Sequence, residues 1–479
     1  MNRRYDLVIL GGGTGGLVAA QIAVGVGARV ALIERDRTGG DCLWTGCVPS
    51  KSLIATAAAA HGMRTADRFG LAAVQPEIDF ARVMERVQRV IAQIEPHDSP
   101  EHLRAAGVEV IEGHGRFTGP GRIEANGREL RWRSAIIATG SEPVLPPIGG
   151  LADARPLTTD TLWELRELPA RLLVLGGGPI GCELAQALGR LGAQVTVVEM
   201  ADRLLLKEEP QASKLIRARL ECEGVRVLLG VRATAISRVD DGYEASLGED
   251  RAPVGFDRVL VVAGRRPRTG GLGLETVGIE LDERGGVPVD AHLRTSAKRI
   301  YAVGDVTALL PFTHVAAHHA RIATPNALFS ARQKVSGTVP WVTFTDPEVG
   351  RVGLTEEQAR ERWGDRVQIA QNDYSELDRA LTAGEAYGFA KLIGDPKGRL
   401  VGATVCAPAG GEAIAELTAW VAQRRQISNV SRTIHAYPTL AEGPARAADG
   451  LLTERLLGSR AKALARPALA TLRWTSTIR

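Results

Sequence analysis

The first 35 residues fall into blocks. An apolar run, YDLVIL, is followed by a glycine cluster, a small-residue stretch, and a second apolar run, VALIE, that ends in Glu34. Short continuous apolar runs suit strands buried on both faces, and the small-residue stretch suits a helix packed closely against them. The same layout returns over residues 170–200, about 165 residues further on, and again closes on an acid, Glu199. Each block predicts a βαβ unit, so the pattern predicts an α/β chain with two Rossmann-like dinucleotide-binding folds. Residues 134–150, 257–271 and 299–306 each hold a further buried-strand pattern; the first ends in a Gly/Pro-rich link and the last in Gly-Asp. Residues 80–95 carry apolar positions at helical spacing. From about residue 339 the texture changes to strand patterns of antiparallel type, with a helical GEAIAELTAWVAQRR after them, which predicts a separate C-terminal α+β domain.

Composition narrows the class. At 479 residues and 44% apolar content, three domains with large cores are expected. No apolar run is long enough for a transmembrane helix, and MNRRYDLVIL runs straight into a strand, so neither a membrane span nor a secretory signal is expected and the cytoplasm is the expected compartment. The net charge of +4 is carried by residues 451–479, which hold six Lys/Arg against one Glu. Nothing outside that tail reads as a nucleic-acid footprint. The tail is basic and partly amphipathic; a solvated end is the plain reading and contact with an anionic membrane the alternative.

The first glycine loop is Gly11-x-Gly13-x-x-Gly16, with Glu34 about 20 residues on. Such glycines let backbone N–H groups approach a pyrophosphate at a helix N-terminus, and the acid accepts from a ribose hydroxyl. The second loop is Gly176-x-Gly178-x-x-Gly181 with Glu199. An acid there favours NADH by repelling a 2′-phosphate; Arg203 and Lys207 lie just beyond and keep NADPH as the alternative.

Between the two units the chain reads GGDCLWTGCVPSK, which places Cys42 and Cys47 five residues apart. On one regular helix the rise alone would separate them by roughly 7.5 Å, beyond the Cα reach of a disulfide, so the pair closes only if the helix is distorted. Gly39, Gly40 and Gly46 make that distortion cheap. A structural crosslink, a zinc site and a redox disulfide compete. The redox pair fits best, because a reducing compartment opposes the first and no second ligand pair supports the second. No resident metal site is expected.

These motifs together resemble the class I pyridine nucleotide–disulfide oxidoreductases, the family of dihydrolipoamide dehydrogenase, glutathione reductase and mercuric reductase. The likeness spans roughly residues 5–450. The resemblance implies an FAD-binding domain over 1–149 completed by 271–338, an NAD(P)-binding domain over 150–270, a dimerisation domain over 339–450, and the basic tail 451–479. It implies FAD held by Gly11, Gly13, Gly16, Glu34, Thr139, Gly140 and Asp305, with Thr313 and His314 near the flavin. Gly176, Gly178, Gly181, Glu199 and Gly264 would take the nicotinamide cofactor. By resemblance Cys47 is the flavin-proximal thiol and Cys42 the interchange thiol. Lys51, near a helix starting about Pro49, pairs with Glu183. An obligate homodimer is implied, in which each site borrows a His–Glu dyad from the partner.

Two departures stand out. Arg268 occupies a place where the family carries Asn. In the borrowed motif Glu442 is in place, but Tyr437 stands where the family has its catalytic His, with His435 two residues before. A Tyr near pKa 10 cannot trade a proton at neutral pH as a His does. Mercuric reductase also carries Tyr there, yet this chain has no cysteine after Cys406 to match that enzyme's C-terminal pair. The leading expectation is an enzyme moving electrons from NAD(P)H through flavin and Cys42–Cys47 to a small-molecule disulfide or related acceptor. The alternatives are a soft-metal-ion reductase and a membrane-surface redox sensor or adaptor. Cys182, Cys222 and Cys406 read as small core residues, and His318 and His319 as surface or packing residues.

Overall fold

A computed structural model describes residues 4–249, 251–457 and 459–476. They form two compact units: one takes in residues up to 65, 73–202 and 223–337, the other 66–72, 203–222 and 338 onwards. No helix among the described residues is long and apolar enough to cross a membrane.

In the first unit the chain opens with β1 (Tyr5–Leu10), α1 (Thr14–Gly25) and β2 (Val30–Glu34). Two helices, α2 (Gly40–Trp44) and α3 (Cys47–Arg64), follow, then α4 (Phe80–Asp98). α4 buries Phe80, Met84, Val87 and Ile91, the i, i+4, i+7, i+11 stripe read from the sequence, and Asp79 caps it by accepting from Arg82 N. Strands β3 (Glu109–Glu112), β4 (Gly115–Gly119), β5 (Arg122–Ala125) and β6 (Arg128–Ile137) complete this part. β6 is long enough to serve twice: its first half pairs antiparallel with β5, and its second half pairs parallel with β1.

After β7 (Ser141–Pro143), the second nucleotide fold runs β8 (Arg171–Leu175), α5 (Pro179–Arg190), β9 (Gln194–Val198) and β10 (Arg226–Leu228). A three-stranded meander, β11 (Ala235–Val239), β12 (Gly242–Ser246) and β13 (Val254–Phe256), precedes β14 (Arg258–Val261). The parallel order is β10-β9-β8-β14. β15 (Arg265–Pro267) then pairs antiparallel with β7, so the two chain crossings between the folds form one ribbon. β16 (Ile300–Ala302) returns to the first sheet beside β6, and α6 (Thr313–Phe329) packs on α1. The first sheet is buried on both faces: Leu7 and Ile9 join one core with Ala19, Ala20 and Ala23 of α1, and Val8 and Leu10 join another with Phe117 and Trp132.

The second unit is built on one antiparallel sheet. Its strands are β17 (Pro340–Thr343), β18 (Glu348–Gly353), β19 (Gln368–Asp373), β20 (Phe389–Gly394) and β21 (Leu400–Ala407), in the order β17-β18-β21-β20-β19. Helices α7 (Gly410–Ala422) and α8 (Glu442–Leu457) contribute to its core, and α9 (Ser459–Ser476) follows. A helix over Pro210–Cys222 also belongs here. Inside this unit Lys391 lies between Glu209 (3.2 Å) and Glu356 (3.0 Å), and Arg351 lies 3.4 Å from Glu208.

Candidate active site

The first glycine loop has the geometry a dinucleotide requires. A Cβ on Gly16 would overlap the carbonyl oxygen of Gly11, so only glycine permits this approach of loop and helix. α1 has Gly13 as its N-cap, with no capping side chain and no acid in its first turn, leaving its N–H groups for an anion. Gly176, Gly178 and Gly181 repeat the arrangement at the start of α5, with open space where a Cβ on Gly178 would stand. Each closing acid does more than wait for a ribose. Glu34 accepts from Gly12 N (2.5 Å) and Asp36 N (2.7 Å), and Glu199 accepts from Gly177 N (2.6 Å) and Ala201 N (2.8 Å). Each carboxylate therefore braces its own glycine loop and keeps lone pairs for a sugar hydroxyl. Sequence reading missed this bracing; its only trace is that the same acid recurs after both loops.

Cys42 and Cys47 lie on two separate helices, where the sequence suggested one distorted helix. The chain enters α2 through Gly39 (φ +99°) and Gly40 (φ +60°), so close to Gly13 that a Cβ on Gly40 could not be accommodated. It breaks at Thr45–Gly46 and restarts at Cys47, two residues before the predicted start near Pro49. The break is held by Trp163, whose indole N–H donates to Thr45 O at 2.9 Å. Cys47 thus occupies the first position of α3, where the N-terminal end of the helix dipole stabilises a thiolate.

Both cysteines are thiols in the structure. Cys47 is lowered to about 6. The leading cause is a hydrogen bond from Cys42; the Thr313 hydroxyl, with Oγ1 3.4 Å away, and the Lys51 charge lower it further, against burial and Glu183. Cys42 is driven the other way by its bond to Cys47 and by burial. Lys51 Nζ donates to Glu183 Oε2 at 2.9 Å, and Glu183 is 5% exposed, so the pair named from the sequence does meet.

Asp305 is raised by burial and accepts from Ser141 Oγ at 2.7 Å. Thr139 Oγ1 donates to Arg268 O at 2.7 Å, and Gly140 and Gly264, which directly precede β7 and β15, both take positive φ. His314 stacks on Phe312 at the start of α6. The glycine cradle, the uncapped helix start, Glu34 and the half-buried Asp305 suit the phosphates and hydroxyls of FAD.

Other assignments separate. His319 is buried, accepts from Gly304 N at 3.3 Å, and is lowered to about 4 by burial and His318; His318 Nε2 accepts from Ser336 N. Cys182 and Cys406 are buried as expected, but Cys222 is exposed, because it ends its helix on the outer side and Leu220 takes the core position. Tyr437 is exposed and its hydroxyl donates to Asp378 Oδ2 at 2.9 Å, a bond that raises its pKa. Both nitrogens of His435 are engaged, Nδ1 with Thr433 O (2.8 Å) and Nε2 with Glu416 (3.0 Å). Glu442 accepts from Thr439 N at 3.2 Å and opens α8. The structure does not bring Tyr437 and Glu442 into a hydrogen-bonded dyad: each has another partner.

Comparison with known proteins agrees with this arrangement. The pyridine nucleotide-disulphide oxidoreductase family matches residues 5–320, and that family's dimerisation domain matches residues 339–448. The chain is 38% identical to a dihydrolipoyl dehydrogenase of Thermus scotoductus, over 94% of this chain and 98% of that one. It is also 38% identical to a mercuric reductase of Streptomyces lividans, over 91% and 94%. Among solved structures it resembles the HOCl-induced flavoprotein disulfide reductase RclA of Escherichia coli (TM-score 0.83, 30% identity, 93% and 99% covered). It likewise resembles LpdA of Mycobacterium tuberculosis (TM-score 0.85, 31% identity, 93% and 99% covered). The chain belongs to the pyridine nucleotide–disulfide oxidoreductase family: it is an FAD- and NAD(P)H-dependent flavoprotein oxidoreductase with the family's homodimer-forming domain.

Proposed function

We propose that Cys42 and Cys47 are the redox pair of this enzyme, with Cys47 the flavin-proximal thiolate, Cys42 the interchange thiol, and NADH the electron source. Bound FAD supplies the hydride acceptance and two-electron transfer that side chains cannot. The protein's own groups keep the sulfurs ready. Cys42 donates to Cys47, Thr313 supports the same sulfur, and Lys51, held by Glu183, keeps a cation beside it. Closing the pair turns two thiols into a disulfide, and the two electrons and two protons pass to the acceptor disulfide, which opens to two thiols. The observation that carries this reading is the placement of Cys42 and Cys47 on either side of the break between α2 and α3, with Thr313 against Cys47 and Lys51, paired with Glu183, on the helix that Cys47 begins. A reducing cytoplasm is the setting that suits such a pair.

Replacing Cys42 with Ser should leave bleaching of the flavin absorbance by NADH intact and abolish turnover of disulfides. Undiminished disulfide turnover by that variant would reject the route. Glu199 supports NADH as donor, since its carboxylate repels a 2′-phosphate, and Arg203 is taken up by Leu206 O and Glu357. A kcat/KM for NADPH equal to that for NADH would overturn this preference.

Tyr437 favours a second reading, reduction of a soft metal ion. Its hydroxyl is committed to Asp378 and its pKa is raised, so it is a poor proton carrier near neutrality. Thiolates bind soft ions without a proton relay to a leaving sulfur. The likeness to a mercuric reductase, and to RclA, also solved as a Cu(II) complex, supports this acceptor class. NADH oxidation stimulated by Hg(II) or Cu(II), but not by lipoamide or oxidised glutathione, is the result this reading requires. Tyr437→His should raise turnover of dithiol substrates; no gain would remove the argument from Tyr437.

A further inference from the structure

The residue directly before the interchange thiol is tied to the ribbon that joins the two nucleotide folds. Asp41 Oδ2 accepts from Arg265 Nη2, and Asp41 Oδ1 accepts from Arg268 Nη1 at 3.3 Å. Both arginines stand on the ribbon side of the crossing: Arg265 lies on β15, and Arg268 follows it, its N–H donating to Gly140 O at 2.9 Å. Arg265 Nε also donates to Ser141 Oγ at 2.8 Å, the same hydroxyl that donates to Asp305. Arg268 approaches Asp160 (3.7 Å) and Glu142 (3.8 Å) as well. Two guanidinium groups thus converge on one partly buried carboxylate, at the start of the turn that carries Cys42.

We propose that Asp41 is a positioning residue for the redox pair: its ion pairs to Arg265 and Arg268 fasten the α2 turn to the β7–β15 ribbon and hold Cys42 where it can close on Cys47. Two observations converge on this. α2 is a five-residue helix entered through two positive-φ glycines and left through a break, so little of its own backbone fixes its orientation. The tie holds the segment just before the Thr45–Gly46 break that separates Cys42 from Cys47, so it acts on the geometry from which the disulfide forms.

The inference rests on the assignment of Cys42 and Cys47 as the redox pair, and the experiment separates the two. Full-length, FAD-loaded protein is equilibrated with mixtures of reduced and oxidised dithiothreitol. In that reaction two cysteine thiols lose two electrons and two protons to the dithiothreitol disulfide, which opens. Trapped thiols are then counted by mass spectrometry. Asp41→Asn should lower the equilibrium constant for disulfide formation by roughly threefold to tenfold, where tenfold is a rise of about 30 mV in reduction potential. Arg268→Lys keeps the charge but loses the planar fork that reaches Asp41 together with its other acids. It should shift the constant in the same direction, by about half as much on a logarithmic scale. Flavin content and melting temperature are recorded for each variant, and Arg268→Lys carries the test if Asp41→Asn does not fold. A shift in Asp41→Asn alone would assign the effect to charge and overturn positioning. No shift in either variant overturns it too. If wild-type protein never traps a Cys42–Cys47 disulfide, the redox assignment itself fails and the inference falls with it.

Discussion

Cys47 is where several weak effects add on one atom. The start of α3, the hydrogen bond from Cys42, the Thr313 hydroxyl and the Lys51 ammonium all favour the thiolate, and together they outweigh burial. The sign of the pH dependence follows. A thiol lowered to about 6 is mostly thiolate at pH 7 and loses that form as pH falls through 6, so alkylation of Cys47 in reduced enzyme should be half-maximal near pH 6. Cys42→Ala removes the largest cause and should move that midpoint upward by more than Lys51→Met does. A larger shift from Lys51→Met would reverse this order of causes. Lys51→Met should carry a stability cost as well. It removes the ammonium that pairs with Glu183, a buried carboxylate, and breaking one partner of a buried pair costs roughly 3–5 kcal/mol; Lys51 is itself partly solvated, which places this case at or below the lower end. Chemical denaturation of the two proteins measures it.

At the scale of elements, the glycine loops show what the sequence can and cannot say. The βαβ layout was legible because buried strands, close-packed small residues and a loop with positive φ each leave a compositional mark; Gly11 (φ +105°) and Gly176 (φ +120°) both sit where such marks predict them. The break between α2 and α3 was legible only as a need for distortion, because what secures it, Trp163 on Thr45, is separated by 118 residues. Strands β18 and β19, EVGRVG and QIAQND, carry weaker apolar patterns than their neighbours and leave little mark in the sequence. The charges inside the second unit left no local signal at all: Glu209, Glu356 and Lys391 lie far apart in the sequence, and only the fold brings them together. The loops themselves offer a paired test. Gly16→Ala forces a Cβ into the Gly11 carbonyl and should cost most of the bound FAD, read from the flavin absorbance of purified protein. Gly178→Ala meets open space, so the fold should survive with FAD retained, while KM for NADH rises by about tenfold, some 1.4 kcal/mol of binding. Equal FAD loss in both variants would show that the loops are not separately assigned.

For the whole molecule, stability and the reach of the C-terminal helices are distinct questions. Lys391 is 6% exposed and Glu209 1%, so Lys391→Ala removes the ammonium between two acids, leaves the buried Glu209 carboxylate without its ion-pair partner Lys391, and should destabilise the second unit by about 3–5 kcal/mol. Thermal unfolding followed against wild type checks this, and a loss under about 1 kcal/mol would place the pair among solvated surface bridges. α9 behaves differently. It lies beyond residue 448, where the family match ends, and its described side chains, Leu469, Leu472 and Trp474 among them, are exposed. Removing residues 459–479 should therefore leave the melting temperature and NADH oxidation unchanged, and co-sedimentation with anionic liposomes before and after truncation tests the membrane alternative. The contrasting placement of Cys182 and Cys406 in the interior and Cys222 on the outside has a practical sequel. A chromogenic sulfhydryl reagent added to the native, fully reduced enzyme should register Cys42, Cys47 and Cys222. After oxidation of the pair it should register Cys222 alone, and that residual reactive group can bridge separate molecules during storage in air unless Cys222→Ser is introduced.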